Sequence, residues 1–165
     1  MSRYNEVSMN RATPNQYLIK PTAKSEPLSQ WPEILMAQHI QLESEINTIS
    51  TLVAQGECHL LQLDARLKKL IKGVLTHLEL ESCFLASVLG SFNLSHQHHV
   101  CLTQGFQALE QTCKETVIYL HSLKLALGNG PVEPEHAVRI NQLLHDIHAR
   151  LESEDIVYSI LKEAA

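Results

Sequence analysis

Apolar residues recur at steps of three and four along four stretches of the chain, and no stretch shows the sustained alternation of a strand. The first stripe holds Leu35, Leu42, Ile46, Ile49 and Val53, with Pro32 at a first-turn position and Gly56 at the end. The second spans about 59–89 through Leu63, Leu67, Leu70, Val74, Phe84 and Val88, and Gly90 ends it. The third begins near residue 94 and carries Leu102, Phe106, Leu109, Cys113, Val117 and Leu120. After the break at Gly128, Asn129, Gly130 and Pro131, the fourth begins near Pro134 and carries Ile140, Leu144, Ile147, Leu151, Tyr158 and Leu161. Stripes of this kind pack helix against helix. Four of them with short connections predict an all-α, up-down-up-down four-helix bundle over residues 29–165. Residues 1–28 hold Pro14, Pro21 and Pro27 among Ser, Asn and Thr without a period, and read as a flexible N-terminal tail. Trp31, just ahead of the first stripe, is placed to cap the bundle end.

Every stripe also contains ionisable residues. His39 falls in register on the first and His77 with Glu81 on the second. His99 lies on the third, and Arg150 on the fourth with Glu154 and Asp155 one turn on. In an antiparallel bundle with a rise of about 1.5 Å per residue, the groups on helices one, two and four fall at a common depth. A buried carboxylate without a partner costs several kcal/mol, so polar groups meeting in one layer need a joint explanation. Two are open: a closed network of hydrogen bonds and ion pairs, or a bound cation. Imidazole together with carboxylate suits iron, manganese or zinc.

Composition narrows the function classes. Of 165 residues, 44% are hydrophobic and 19% charged, an ordinary globular balance, and the formal net charge of -5 lacks the basic face that nucleic acid requires. No apolar run approaches the length of a membrane span, and no polybasic patch suggests a membrane surface. Cys58, Cys83, Cys101 and Cys113 form no CxxC pair, so they read as reduced thiols in a cytoplasmic protein. No nucleophile elbow or phosphate loop is present, so no catalytic residue is assigned and no enzyme is expected.

The polar positions resemble those of the hemerythrin family, over roughly residues 30–163. The resemblance is carried by His39 in "AQHIQLESEI", by the His77-x-x-x-Glu81 pair, by His99 with Leu102, Phe106 and Leu109 after it, and by "RLESEDIVYSIL" with Glu154 and Asp155. It implies a di-iron centre, of which His39, His77, Glu81, His99 and Asp155 are five of the seven expected ligands. The two departures are Ser95 and Arg150, which stand where histidines are expected. The first iron site is thus complete, as His39, His77, Glu81 and Asp155, and the second keeps only His99. Arg150 then acts as a charge substitute at a lost ligand position, either beside one retained iron or manganese ion or in a metal-free network. A cytoplasmic sensor or regulatory protein follows, acting through a protein partner or as a homodimer. A second resemblance rests on one motif. "RLESED" is similar to the Arg-x-x-x-Glu-Asp pattern of bacterial regulators that bind the housekeeping sigma factor (regulator of sigma D), and it implies a metal-free regulator of transcription with a sigma factor as partner.

Overall fold

A computed structural model describes residues 30–56, 58–88, 97, 100 and 105–164 of the chain. Its four long helices are α1 (Trp31–Ala54), α2 (Leu60–Val88), α3 (Phe106–Leu127) and α4 (Pro134–Ala164). The tail, Gly90, Ser95, His96, His98, His99, Cys101 and Leu102 lie outside the described residues.

Each helix starts and stops where the local chemistry dictates. Pro32 opens α1, where its missing N–H costs nothing, and Gly56, at φ 69°, lies just past its end. Gly128, at φ 61°, ends α3. The expected start near residue 94 lies outside the described residues, of which 97 and 100 are helical. Gly105 is left-handed at φ 88° and serves as N-cap, so the helical ladder begins afresh at Phe106. The stripe expected from Leu102 through Phe106 therefore passes through a left-handed residue at Gly105.

Side-chain contacts set the directions. Gln38 meets His77 and Glu45 meets Lys69, so α1 and α2 run antiparallel. Glu33 meets Lys162, His39 meets Asp155 and Glu43 meets His148, so α1 and α4 run antiparallel too. Asp64 meets Lys124 near one end, and Leu78 and Ser82 line a cleft with Phe106 and Glu110 further along, so α2 and α3 run antiparallel. Each helix packs mainly on two neighbours, α1 and α3 both touching α2 and α4. The result is a four-helix bundle of up-down-up-down order. The two loops at one end are tied together, because Leu60 N–H donates to Gly130 O, Val132 N–H to Cys58 O, and Leu61 N–H to the Asn129 side chain.

The core falls into two apolar clusters. One gathers Leu42, Ile46, Ile49, Leu63, Leu67, Leu70, Val74, Cys113, Leu144 and Ile147. The other, at the opposite end, holds Trp31, Leu35, Phe84, Val157, Tyr158 and Leu161. Trp31 is buried there against Phe84, ring centroids 5.8 Å apart, which is the capping role its position suggests. Gly73 brings α2 close to α1: a Cβ at this position would lie 2.9 Å from Leu42 Cδ2. Cys58 and Cys113 are buried thiols, and Cys83 is exposed. Burial pushes the Cys113 thiol up to about 11, which makes it unreactive.

Candidate metal centre

Between the two clusters lies the polar layer. α1 supplies Gln38 and His39, α2 supplies His77 and Glu81, and α4 supplies Arg150, Glu154, Asp155 and Tyr158. His39, His77, Glu81 and Glu154 are all buried, Glu81 and Glu154 completely. The layer divides into two halves joined by Glu154.

In the imidazole half, three donor atoms form a near-equilateral triangle. His39 Nε2 lies 3.1 Å from His77 Nε2 and 3.1 Å from Glu154 Oε2, and His77 Nε2 lies 3.0 Å from the same oxygen. The outer ring nitrogens are held by other groups. His39 Nδ1 donates to Asp155 Oδ1 at 2.7 Å, and His77 Nδ1 donates to Gln38 Oε1 at 2.9 Å. A proton on each Nδ1 leaves a lone pair on each Nε2. Two nitrogen lone pairs and a carboxylate oxygen would then face one another at contact distance, which a second proton on His39 or a bound cation relieves. A proton on one Nε2 relieves one or two edges of the triangle; a cation relieves all three.

In the guanidinium half, Arg150 bridges two carboxylates. Its Nε donates to Glu154 Oε1 and its Nη2 to Glu81 Oε2, the latter at 3.0 Å. The Tyr158 hydroxyl donates to Glu81 Oε1 at 2.8 Å. Both Glu81 oxygens are thereby engaged. The Arg150 guanidinium lies against Gly105, where a Cβ would stand 3.4 Å from Nη1.

The charges follow from these contacts. Burial works against a proton on His39, but the carboxylates of Glu154 and Asp155 outweigh it, so its pKa is raised. At His77 burial wins and the pKa is lowered. Burial alone would raise Glu154; the two imidazoles and Arg150 hold it well below the usual carboxylate range. Glu81 is pushed up to about 7 by burial and by the Glu154 charge, against the pull of Arg150 and Tyr158. Glu154 is therefore ionised at neutral pH.

His39, His77 and Glu154 form a buried group able to hold a metal ion. The fit can be tested on the triangle itself. Donors at right angles around a cation, each about 2.1 Å from it, lie about 3.0 Å apart, whereas tetrahedral donors lie about 3.4 Å apart. The observed edges of 3.0–3.1 Å are the lengths of hydrogen bonds between the three groups, and they also fit donors set at right angles around a cation. Asp155 and Gln38 orient the imidazoles as carboxylates and carbonyls do around metal-bound histidines.

Of the residues named from the sequence, His39, His77, Glu81, Asp155 and Arg150 are all brought into this layer. Asp155 bonds to a histidine from outside rather than facing the triangle, and Glu81 belongs with Arg150. His99 lies outside the described residues. Glu154 was expected in the layer but not as a ligand, and Gln38 and Tyr158 were not among the expected site residues. A signal for Glu154 existed: it lies one turn from Arg150 on the same face, so an inward Arg150 carries Glu154 inward and turns Asp155 about 100° away. Gln38, beside the stripe rather than in it, offers no such signal.

No protein-family model matches the chain, and no curated protein or solved structure matches it either. Among the described residues no helix is long and apolar enough to cross a membrane.

Proposed function

We propose that the chain is a hemerythrin-like regulatory domain that holds one metal ion and acts, without catalysis, through a protein partner. The observation that supports it is the triangle of His39 Nε2, His77 Nε2 and Glu154 Oε2 with both imidazoles pre-oriented. On this reading those three residues hold iron or manganese. Arg150 supplies positive charge where a second ion would stand, shared between Glu81 and Glu154. When bound, the ion supplies a charge at the bundle centre that responds to oxygen, iron supply or redox state. The chain's own residues orient the ligands and exclude water, and the setting is the cytoplasm. The test is elemental analysis of protein purified without a histidine tag, with optical spectra after anaerobic iron loading. Iron or manganese near one equivalent, lost in His77→Ala, is the expected result. Metal-free protein of undiminished stability overturns it.

A second reading is favoured by one specific observation. Arg150, Glu154 and Asp155, the residues of the Arg-x-x-x-Glu-Asp pattern, each bond within the layer. A metal-free regulator of the sigma D type would need that network to hold its helices in register and would bind a sigma factor. A flat optical spectrum after iron loading, together with stoichiometric capture of purified housekeeping sigma factor, supports this reading over the first.

A further inference from the structure

Asp155 carries the polar layer to the surface. Its side chain is 39% exposed, while that of His39, to which it bonds, is 2% exposed. The bond also fixes the height of two neighbours. Ile40 follows His39 and Ile156 follows Asp155, so the two isoleucines stand level on adjacent helices. Both are open to solvent, at 70% and 62%, and Ile160 lies one turn beyond Ile156, also exposed.

Ile40 and Ile156 each lie about 100° round their helix from the bonded His39–Asp155 pair, and in antiparallel helices both turn to the same outer flank of the seam between α1 and α4. Ile40, Glu43 and Asn47 lie at i, i+3 and i+7 on α1. Glu43 reaches His148 of α4, and Asn47 lines a cleft with His145 and His148. On α4, Ile156 lies one turn from Glu152, which also meets His148. The seam therefore presents an aliphatic shoulder on each side, a cleft of about 320 Å³ further along, and the carboxylates of Glu43, Glu152 and Asp155 between. Two antiparallel helices leave a straight groove that accepts a third helix through residues spaced at single turns. The carboxylates give that groove a sign, and a cationic occupant complements it.

We propose that the α1–α4 seam above Asp155 docks a basic amphipathic helix of a partner protein. Aliphatic side chains of the partner pack on Ile40, Ile156 and Ile160, and a lysine or arginine faces Asp155. The proposal rests on the reading that the bundle works through a protein partner, and it is independent of whether metal is bound. It also gives the layer an output, because a cation at Asp155 competes for the carboxylate that holds His39.

The probe is a synthetic helical peptide of about five turns, with leucines at i and i+4 flanked by lysines, followed by fluorescence anisotropy. A peptide of the same composition in scrambled order is the control. The expected result is binding about tenfold tighter than the control, weakened about tenfold by Ile156→Ser and unchanged by Ile118→Ser on the exposed face of α3. Both sites are on the surface, and circular dichroism verifies the fold of each variant. The His39 ring signals shift in nitrogen-15 spectra on adding the peptide. Equal binding of the two peptides, indifference to Ile156→Ser, or unmoved His39 signals overturns the proposal. So does self-association of the protein, or binding to phosphatidylglycerol vesicles, that Ile156→Ser abolishes. Peptide failure with metal content intact sinks this surface alone. Metal and sigma-factor failure with peptide binding intact sinks the functional reading instead.

Discussion

Asp155 Oδ1 accepts a hydrogen bond from His39 Nδ1 at 2.7 Å, across 116 positions of sequence. The bond selects the tautomer that leaves His39 Nε2 free to act as a ligand, and it raises the basicity of that nitrogen. Asp155→Asn keeps the size but not the charge. It is expected to weaken binding of iron or manganese by about 10–100-fold without removing a ligand. Competition titration with a chelator of known affinity measures this, and an unchanged affinity would detach Asp155 from the centre.

Arg150 is the cation of the opposite half. Arg150→Gln leaves Glu154 ionised and buried with one donor fewer and takes the guanidinium from Glu81. The expected cost is about 3–5 kcal/mol, read from urea unfolding. Arg150→Lys recovers only part of it, because one ammonium cannot reproduce the two-carboxylate fork. A loss under about 1 kcal/mol would class the bridge with surface ion pairs.

Close approach of α1 and α2 depends on Gly73. Gly73→Ala gains about 1 kcal/mol of helix propensity but drives a methyl into buried Leu42, where overpacking costs about 1–3 kcal/mol. A net loss of about 1 kcal/mol is expected. Because the clash is with Leu42 alone, the loss should vanish in a Leu42→Ala background, a coupling that a double-mutant cycle detects. Equal effects in both backgrounds would point to another cause.

Away from the centre, Asp64 Oδ2 accepts from Lys124 at 2.8 Å and Lys68 at 3.0 Å. Burial raises its pKa, but the two ammonium groups outweigh burial and hold it below the usual 3.8. A depressed carboxylate contributes stability that is present above its unfolded pKa and is lost as pH falls through the folded value. Asp64→Asn should therefore cost about 1.5–3 kcal/mol at pH 7. The gap from the native chain should close as pH is taken below 3.8. Denaturant melts across that range test it, and a constant gap would count against the ion pairs.

The helices, their order and the depth at which His39, His77, Glu81 and Arg150 meet are legible in the sequence. Each depends on local rules: the apolar period, the turn residues and the fixed rise per residue. Three features were not legible. Gly105 is left-handed within the third stripe, and a glycine in a pattern does not reveal the sign of its φ. Glu154 rather than Asp155 faces inward, yet both satisfy steps of three and four between Leu151 and Tyr158. Which of two adjacent residues points to the axis depends on how far the helix is rotated. That rotation is set by every side chain packed against it, with Arg150 and Tyr158 both reaching Glu81 on a helix 69 and 77 positions away in sequence. Period and spacing are properties of one segment, so the chain determines them by itself. The partition of the layer into an imidazole half and a guanidinium half is a property of three helices at once, and only their packing could decide it.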